Sequence, residues 1–259
     1  MDKILASVVV PTFNSERFLE QTLHSLFQQD YNNLEILVID GGSTDETVNI
    51  IKKYEKQIAY WVSEKDSGQS NALNKGFKKA RGEIVGWLCS DDLLYKDSVR
   101  IVAEKFTKDD EVGIVYGDID QINSNGKIFR KIKYKPISAD YILNVHHPVP
   151  QQGSFYRRSL LEKVGYLNES LHQVMDYDLF IKLLKISKGV YVGRALGQFR
   201  MFESNKSTIQ GAWVGSIEGF RVGKEHGAKI ISRVTFLRLK RMSRFLIKKV
   251  FGIKLHKER

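Results

Sequence analysis

Short apolar runs and helical patterns alternate through the first 92 residues, and each apolar run stops at polar or acidic side chains. Run 7–10 stops at Pro11, with Thr12 and Asn14 just beyond. Run 34–39 stops at Asp40, and run 58–62 precedes Glu64 and Asp66. Run 84–89 leads into Asp91 and Asp92. Between these runs, Phe18, Leu19, Leu23, Leu26 and Phe27 recur at helical spacing from about Ser15. Residues 70–79 repeat that periodicity up to Gly82. Ser43 and Glu46 have the spacing of a capping box, which opens a helix burying Val48 and Ile51 and reaching Tyr54. Strands that alternate with helices fold as a mostly parallel sheet with helices on both faces. Ligands of such sheets sit beyond the carboxyl ends of the strands. Four of those ends carry polar groups, so they line one rim.

Asp91 and Asp92 carry the most chemistry. Burying an unpaired carboxylate costs several kcal/mol, so an apolar strand ending in two of them needs a partner for the charge. Neighbouring side chains of an extended segment point to opposite sides, and one can face a cation while the other faces another part of the same ligand. A hard divalent cation that also holds phosphates, Mg2+ or Mn2+, satisfies that arrangement. Taken alone, Asp-Asp also fits a solvated turn.

The second half is less regular. Runs 112–116 and 127–134 read as strands joined around Asn125-Gly126, a hairpin turn. Residues 159–164 form a short helix ending at Gly165. Residues 177–186 form an amphipathic helix ending near Gly189, and 189–202 return as a strand. At 259 residues, 42% apolar and 27% charged, the chain can bury one sizeable core. Its single cysteine, Cys89, excludes an internal disulfide and suits a reducing cytoplasm. No apolar stretch approaches the roughly 20 residues of a membrane span, and the start of the chain carries no cleavage signal.

The net charge of +11 is concentrated at one end. Residues 224–259 hold 12 Lys or Arg against Glu225 and Glu258, a net +10, which leaves +1 for everything before them. A body so nearly neutral does not track nucleic acid. Lys229, Arg233, Lys240, Arg244 and Lys248 fall on one side of a helix, with Ile231, Val234, Leu239, Met242, Phe245, Leu246 and Val250 mostly on the other. An interfacial helix drawn to anionic lipid has this pattern, as does a helix packed on the domain with a solvated basic face.

Six stretches in order resemble glycosyltransferase family 2 over roughly residues 4–208. They are Val8-Val9-Val10-Pro11-Thr12-Phe13-Asn14, Val38-Ile39-Asp40-Gly41-Gly42-Ser43-Thr44-Asp45, Asp66-Ser67-Gly68-Gln69 with Ala72-Leu73-Asn74-Lys75-Gly76, Asp91-Asp92, Gln151-Gln152-Gly153-Ser154-Phe155-Tyr156-Arg157-Arg158-Ser159, and Met175-Asp176-Tyr177-Asp178-Leu179. The resemblance implies an α/β chain of GT-A fold: a Rossmann-like, mostly parallel central sheet with helices on both faces, followed here by a basic amphipathic helical tail. It implies a transferase domain over 1–222, with a nucleotide-sugar half to about 118 and an acceptor half over 119–222, and a tail over 223–259.

The roles carried over follow from the same match. Pro11, Thr12, Asn14, Asp40, Asp66, Asn74 and Asp91 stand at nucleotide-sugar positions. Asp92 stands at the metal position, for Mg2+ or Mn2+. Asp176 stands at the catalytic base, although it also suits the start of the helix that follows. Gln152, Asp178 and Arg200 are candidates for the acceptor or phosphate side. Gly41 replaces a frequent Asp, so uridine is not assumed. Met175 replaces a frequent Glu, and Phe202 replaces a metal-ligating His.

The implied activity is inverting transfer of a sugar from a nucleoside diphosphate to a hydroxyl of a glycan or lipid-linked glycan, in surface polysaccharide synthesis. The implied location is cytoplasmic, peripheral on the inner face of the membrane through the tail, with no nucleic acid partner. Two alternatives stay open. One is a nucleotidyltransferase on a related sheet, which would need a basic phosphate loop after the first strand. The other is a degenerate transferase that binds glycan or membrane without catalysis.

Overall fold

The structure, a computed structural model, describes residues 4–145, 149–202, 209–240 and 243. Period-two alternation sets its layers. In β1 (Ala6–Thr12), Val8 and Val10 face one side of the sheet and Val9 the other, and all three are buried. The first side is covered by α1 (Leu19–Phe27), α2 (Thr47–Lys53) and α4 (Ser98–Lys108), through Leu19, Leu23, Ile51, Val102 and Phe106. The other is covered by α3 (Gln69–Lys79) and α7 (Met175–Leu184), through Leu73, Phe77, Leu179 and Phe180. Each such side chain contributes about 1.5 to 3 kcal/mol on burial.

The remaining strands are β2 (Leu34–Asp40), β3 (Tyr60–Ser63), β4 (Ile84–Trp87), β5 (Leu93–Leu94), β6 (Val112–Ile122), β7 (Ile128–Ile132), β8 (Ser154–Arg157) and β9 (Lys188–Arg200). They order as β3-β2-β1-β4-β8-β6-β9-β5, with β7 on β6. β1 to β4 are mutually parallel, β8 runs against both its neighbours, and β6 and β9 run parallel to each other. The sheet is therefore mostly parallel, with reversed strands interleaved in its second half. Pro11 lies inside β1, not at its end. Pairing of β1 with β4 stops at Val9 and Trp87, so the proline nitrogen faces the side that β4 has left.

Two local expectations shift. Helix α1 starts at Leu19, not near Ser15, because residues 13–18 turn first: Asn14 takes a left-handed φ of 48°, and Ser15 N–H donates to Thr47 Oγ1 at 2.7 Å. Ser43 does not cap α2; its hydroxyl donates to Asp40, while Asp45 Oδ1 accepts the Thr47 N–H at 3.0 Å. Val48 is consequently only half-buried. The hairpin of β6 and β7 turns at Gly126, whose φ of 78° favours glycine. Helix α5 (Ala139–Asn144), α6 (Arg158–Lys163) and α8 (Ile209–Glu225) complete the described helices, with a further helical stretch over 233–240.

Candidate active site

The carboxyl ends of β1, β2 and β4 open into a cleft of about 980 Å3 lined by Pro11, Thr12, Asn14, Asp66, Asp91 and Asp92, among others. Asp40 builds the floor from within. It is fully buried, and its carboxylate accepts from the Thr12, Ser43 and Ser63 hydroxyls and from the Gly42 and Ser43 N–H groups. Five donors for one carboxylate lock the turn after β2 against β1. Asn14 ties the facing loop to it, its Oδ1 accepting the Thr44 N–H at 2.9 Å. Gly41 then has a steric reason. A Cβ there would stand 2.6 Å from Asp66 Oδ2, so glycine lets Asp66 reach this rim.

Beyond β4 the acidic pair divides its work. Asp92 is fully buried, and its Oδ1 accepts the backbone N–H of Arg200 at 2.9 Å. Its Oδ2 has no hydrogen bond. Asp91 is half-buried and also lines the cleft. Burial pushes the Asp92 carboxyl well above the usual range, with Asp91 adding repulsion, and burial raises Asp91 too. Hydrogen bonds from the Arg200 N–H and the Gln152 side chain, and then the Arg200 charge, offset only part of this, the guanidinium being spent on backbone and amide oxygens. Nε donates to Asp91 O at 2.8 Å, and the terminal nitrogens donate to Asn123 O, Ser124 O and Gln21 Oε1. Two crowded, under-compensated carboxylates and one orphaned oxygen are what a divalent cation would satisfy. Ligand atoms of Cys89, Asp91 and Asp92 all lie within 4.8 Å of one another. The two carboxylates, completed by water, therefore fit Mg2+ or Mn2+. Phe202, at the expected histidine, packs edge-on against Phe18 at 5.0 Å.

A second cavity of about 290 Å3 adjoins the first, sharing Gln69, Cys89 and Phe199 with it. Asp176 and Gln152 line this one. Asp176 sits half-buried in the first turn of α7, where its Oδ1 accepts the Tyr177 N–H at 2.8 Å. Met175, beside it, packs into the core. The segment before α7 is held from outside by Glu218 of α8, whose two oxygens accept the N–H groups of His172 and Gln173 at 2.9 and 2.8 Å.

Not every sequence candidate reaches a cavity. Asp40 and Arg200 lie behind the cleft wall, as above. Asn74 pins α3 to the segment 167–169, donating to Leu167 O and Glu169 and accepting the Leu167 N–H. Asp178 is a buried latch, paired with His226 Nε2 at 2.8 Å and Lys182 Nζ at 2.7 Å. Burial alone would raise its carboxyl, but hydrogen bonds from His226 and Lys182 outweigh that and hold it below the usual carboxylate range. Asp178→Asn should cost about 3 kcal/mol, the low end for a broken buried pair because Lys182 keeps contact with water. A depressed folded pKa contributes stability above the ordinary carboxylate value of about 4 and loses it as pH falls through the folded value. Denaturant melts of both proteins across acidic pH should therefore converge at the acid end. A gap that stays constant with pH would remove the charge from the account.

Sequence reading missed Cys89, Gln69, Gln151, His172, Tyr134 and Phe199. Four of these sit in or beside matched motifs, which was the available signal. Tyr134 and Phe199 lie on the less regular β6–β7 and β9 segments, where nothing marked them.

Comparisons with known proteins bear on this geometry. The sequence model of "Glycosyl transferase family 2" matches residues 7–165. An uncharacterized glycosyltransferase of Rickettsia felis is 31% identical over 192 residues, covering 71% of this chain and 32% of its own length. A chondroitin synthase of Escherichia coli is 27% identical over 192 residues, covering 73% and 28%. The chain thus matches about a third of the length of these relatives. Among solved structures, S. aureus TarS 1–349 in complex with UDP-GlcNAc aligns with a TM-score of 0.66 at 20% identity, over 97% of this chain and 77% of that one. The mannosyltransferase PcManGT from Pyrobaculum calidifontis, in complex with GDP-Man and Mn2+, aligns with a TM-score of 0.65 at 18% identity, over 98% and 77%. These likenesses establish the GT-A fold.

Proposed function

The chain belongs to glycosyl transferase family 2, and from that premise we propose that it moves one sugar, with inversion, from a nucleoside diphosphate to a hydroxyl of a glycan or lipid-linked glycan. One observation carries the reading: an acid-rimmed cleft at the strand ends adjoins a smaller cavity that holds Asp176. Pro11, Thr12, Asn14 and Asp66 line the nucleotide end, with Asp40 and Asn74 acting through the loops they fix. Asp91 and Asp92 would hold Mg2+ or Mn2+, which when bound neutralises charge on the leaving diphosphate. Asp176 takes the proton of the acceptor hydroxyl as its oxygen attacks the anomeric carbon, and the bond to the diphosphate breaks on the opposite face. Gln152 lines the same cavity for the acceptor. A single displacement of this kind inverts configuration. Neighbouring structures bound to UDP-GlcNAc and to GDP-Man with Mn2+ support the donor class, and the chondroitin synthases support a polysaccharide product.

The donor is found by melting the protein with a panel of nucleoside diphosphate sugars, each with Mn2+ and with chelator. Ligand at 100 times its dissociation constant adds about 2.7 kcal/mol. One donor should raise the melting temperature, and only with the cation present. A panel with no response would remove the donor reading.

Location belongs to the same proposal. Among the described residues no helix is long and apolar enough to cross a membrane. The stretch 233–240 packs on the domain through Val234, Thr235 and Arg238, with the Arg238 guanidinium 4.9 Å from the Tyr177 ring centre. Val234 is therefore spent inward, while Ile230, Ile231, Phe236, Leu237 and Leu239 are exposed beside exposed Lys229, Arg233 and Lys240. This mixed face, together with the basic composition of residues 241–259, which apart from 243 lie outside the described residues, supports docking on an anionic leaflet at the inner side of the cell membrane. Cutting after Gly223 would also remove His226 and Arg238, so the informative truncation follows Lys240, combined with Ile231→Asp and Phe236→Asp. That protein should leave anionic vesicles in a sedimentation assay and still bind donor. Vesicle binding equal to wild type would make the segment a packed helix only.

A further inference from the structure

We propose that Cys89 is the third protein ligand of the cation held at Asp91 and Asp92, and that its sulfur turns the site toward soft divalent cations such as Zn2+ and Cd2+ at the expense of Mg2+. The proposal rests on reading this cleft as the donor site. Cys89 lies just past the end of β4 and lines both cavities. Its sulfur and an oxygen of each aspartate lie within 4.8 Å of one another. Metal–oxygen and metal–sulfur bonds of about 2.1 and 2.3 Å put the ligand atoms of a tetrahedral ion roughly 3.6 Å apart, so the three side chains would draw together by about 1 Å on binding. Asp92, a member of that group, is the independent sign that something belongs there: it is fully buried, and its Oδ2 has no hydrogen bond.

Little holds the sulfur away from a cation: Gln69 Nε2 donates toward Sγ at 3.3 Å, and the bond from Sγ to Gln151 Oε1 is long at 4.0 Å and easily given up. On binding, a metal–sulfur bond forms and the thiol proton leaves to solvent. The cation keeps its oxidation state. Mg2+ demands oxygen ligands in near-ideal octahedral geometry and gains nothing from sulfur, whereas thiolate ligands select softer ions. A carboxylate at this position would leave an all-oxygen site, so Cys89 sets a preference that the Asp91–Asp92 pair alone lacks.

Because Cys89 is the chain's only cysteine, any sulfur-to-metal charge-transfer band reports this residue. Cd2+ titrated into the full-length protein should raise such an ultraviolet band that saturates at a single ion per chain. Cys89→Ser should abolish the band and weaken Cd2+ binding, measured by calorimetry, by roughly 10- to 100-fold, the scale found for losing even a supporting group around a metal. Its Mg2+ affinity should move little. Asp91→Asn keeps the thiol and should weaken Cd2+ binding on the same scale, with Asp92→Asn as a second such variant. A wild type without the band, or bands with unchanged midpoints in both Asn variants, would overturn the proposal, the latter by showing an exposed thiol acting alone. Mn2+-dependent nucleotide binding is measured on the same samples. If it persists without the band, only the sulfur ligand falls. If the band behaves as expected but no nucleotide binds, the sulfur ligand stands and the donor reading falls.

Discussion

Asp176→Asn binds donor as the wild type does and transfers sugar roughly 100- to 10,000-fold more slowly, the range for losing a general base. The split between binding and turnover follows from where the side chain lies. It lines the smaller cavity, whereas Pro11, Thr12 and Asn14, proposed to meet the nucleotide, line the larger one. Asn keeps the size of the side chain and an oxygen able to accept the Tyr177 N–H, so the first turn of α7 survives. The readouts are donor titration by calorimetry and initial rates on a permissive acceptor. Near-normal turnover would move the base elsewhere in that cavity, and His172 and Tyr134 are the side chains there to try next. Asp178 is excluded from that role by its burial in the pair with His226 and Lys182.

Asp92→Ala loses most transfer and most cation-dependent nucleotide binding while the fold persists. Loss of a supporting group around a metal already costs about 10- to 100-fold in affinity, so loss of a ligand carboxylate should exceed about 100-fold. The structural cost is bounded. The variant leaves the Arg200 N–H without its acceptor, worth about 1 to 3 kcal/mol, but it also removes an under-compensated buried charge. Circular dichroism checks the fold, and nucleotide titration with Mn2+ or chelator checks the site. Equal nucleotide binding by both proteins would take Asp92 out of the cation site.

The parallel half of the sheet was legible because each of its strands is a run of apolar residues closed by a polar one. Asp40, Asp66, Asp91 and Asp92 stood out for the same reason. What periodicity could not tell was which of them face a ligand. Asp40 and Asp92 are both fully buried, yet Asp40 has five donors and Asp92 Oδ2 has none, a difference set by three-dimensional neighbours. The reversed strand β8 was hidden inside a matched motif, and α4 went unread although Val99, Val102, Ala103 and Phe106 have helical spacing. The role of α8 could not be read at all. Its Glu218 meets backbone N–H groups of residues 172 and 173, and a backbone partner leaves no trace in sequence.

The central claim, a single displacement on a nucleotide-sugar assisted by Asp176, is tested most directly by the configuration of the sugar released. With its donor and Mn2+ but no acceptor, water enters slowly in the acceptor's place. Proton NMR in the first minutes, before mutarotation, reads which anomer forms. The account predicts that an α-linked donor releases the β-anomer first, and that Asp176→Asn suppresses this release. Initial appearance of the α-anomer would contradict it, because retention requires a second displacement or attack on the same face as the leaving diphosphate.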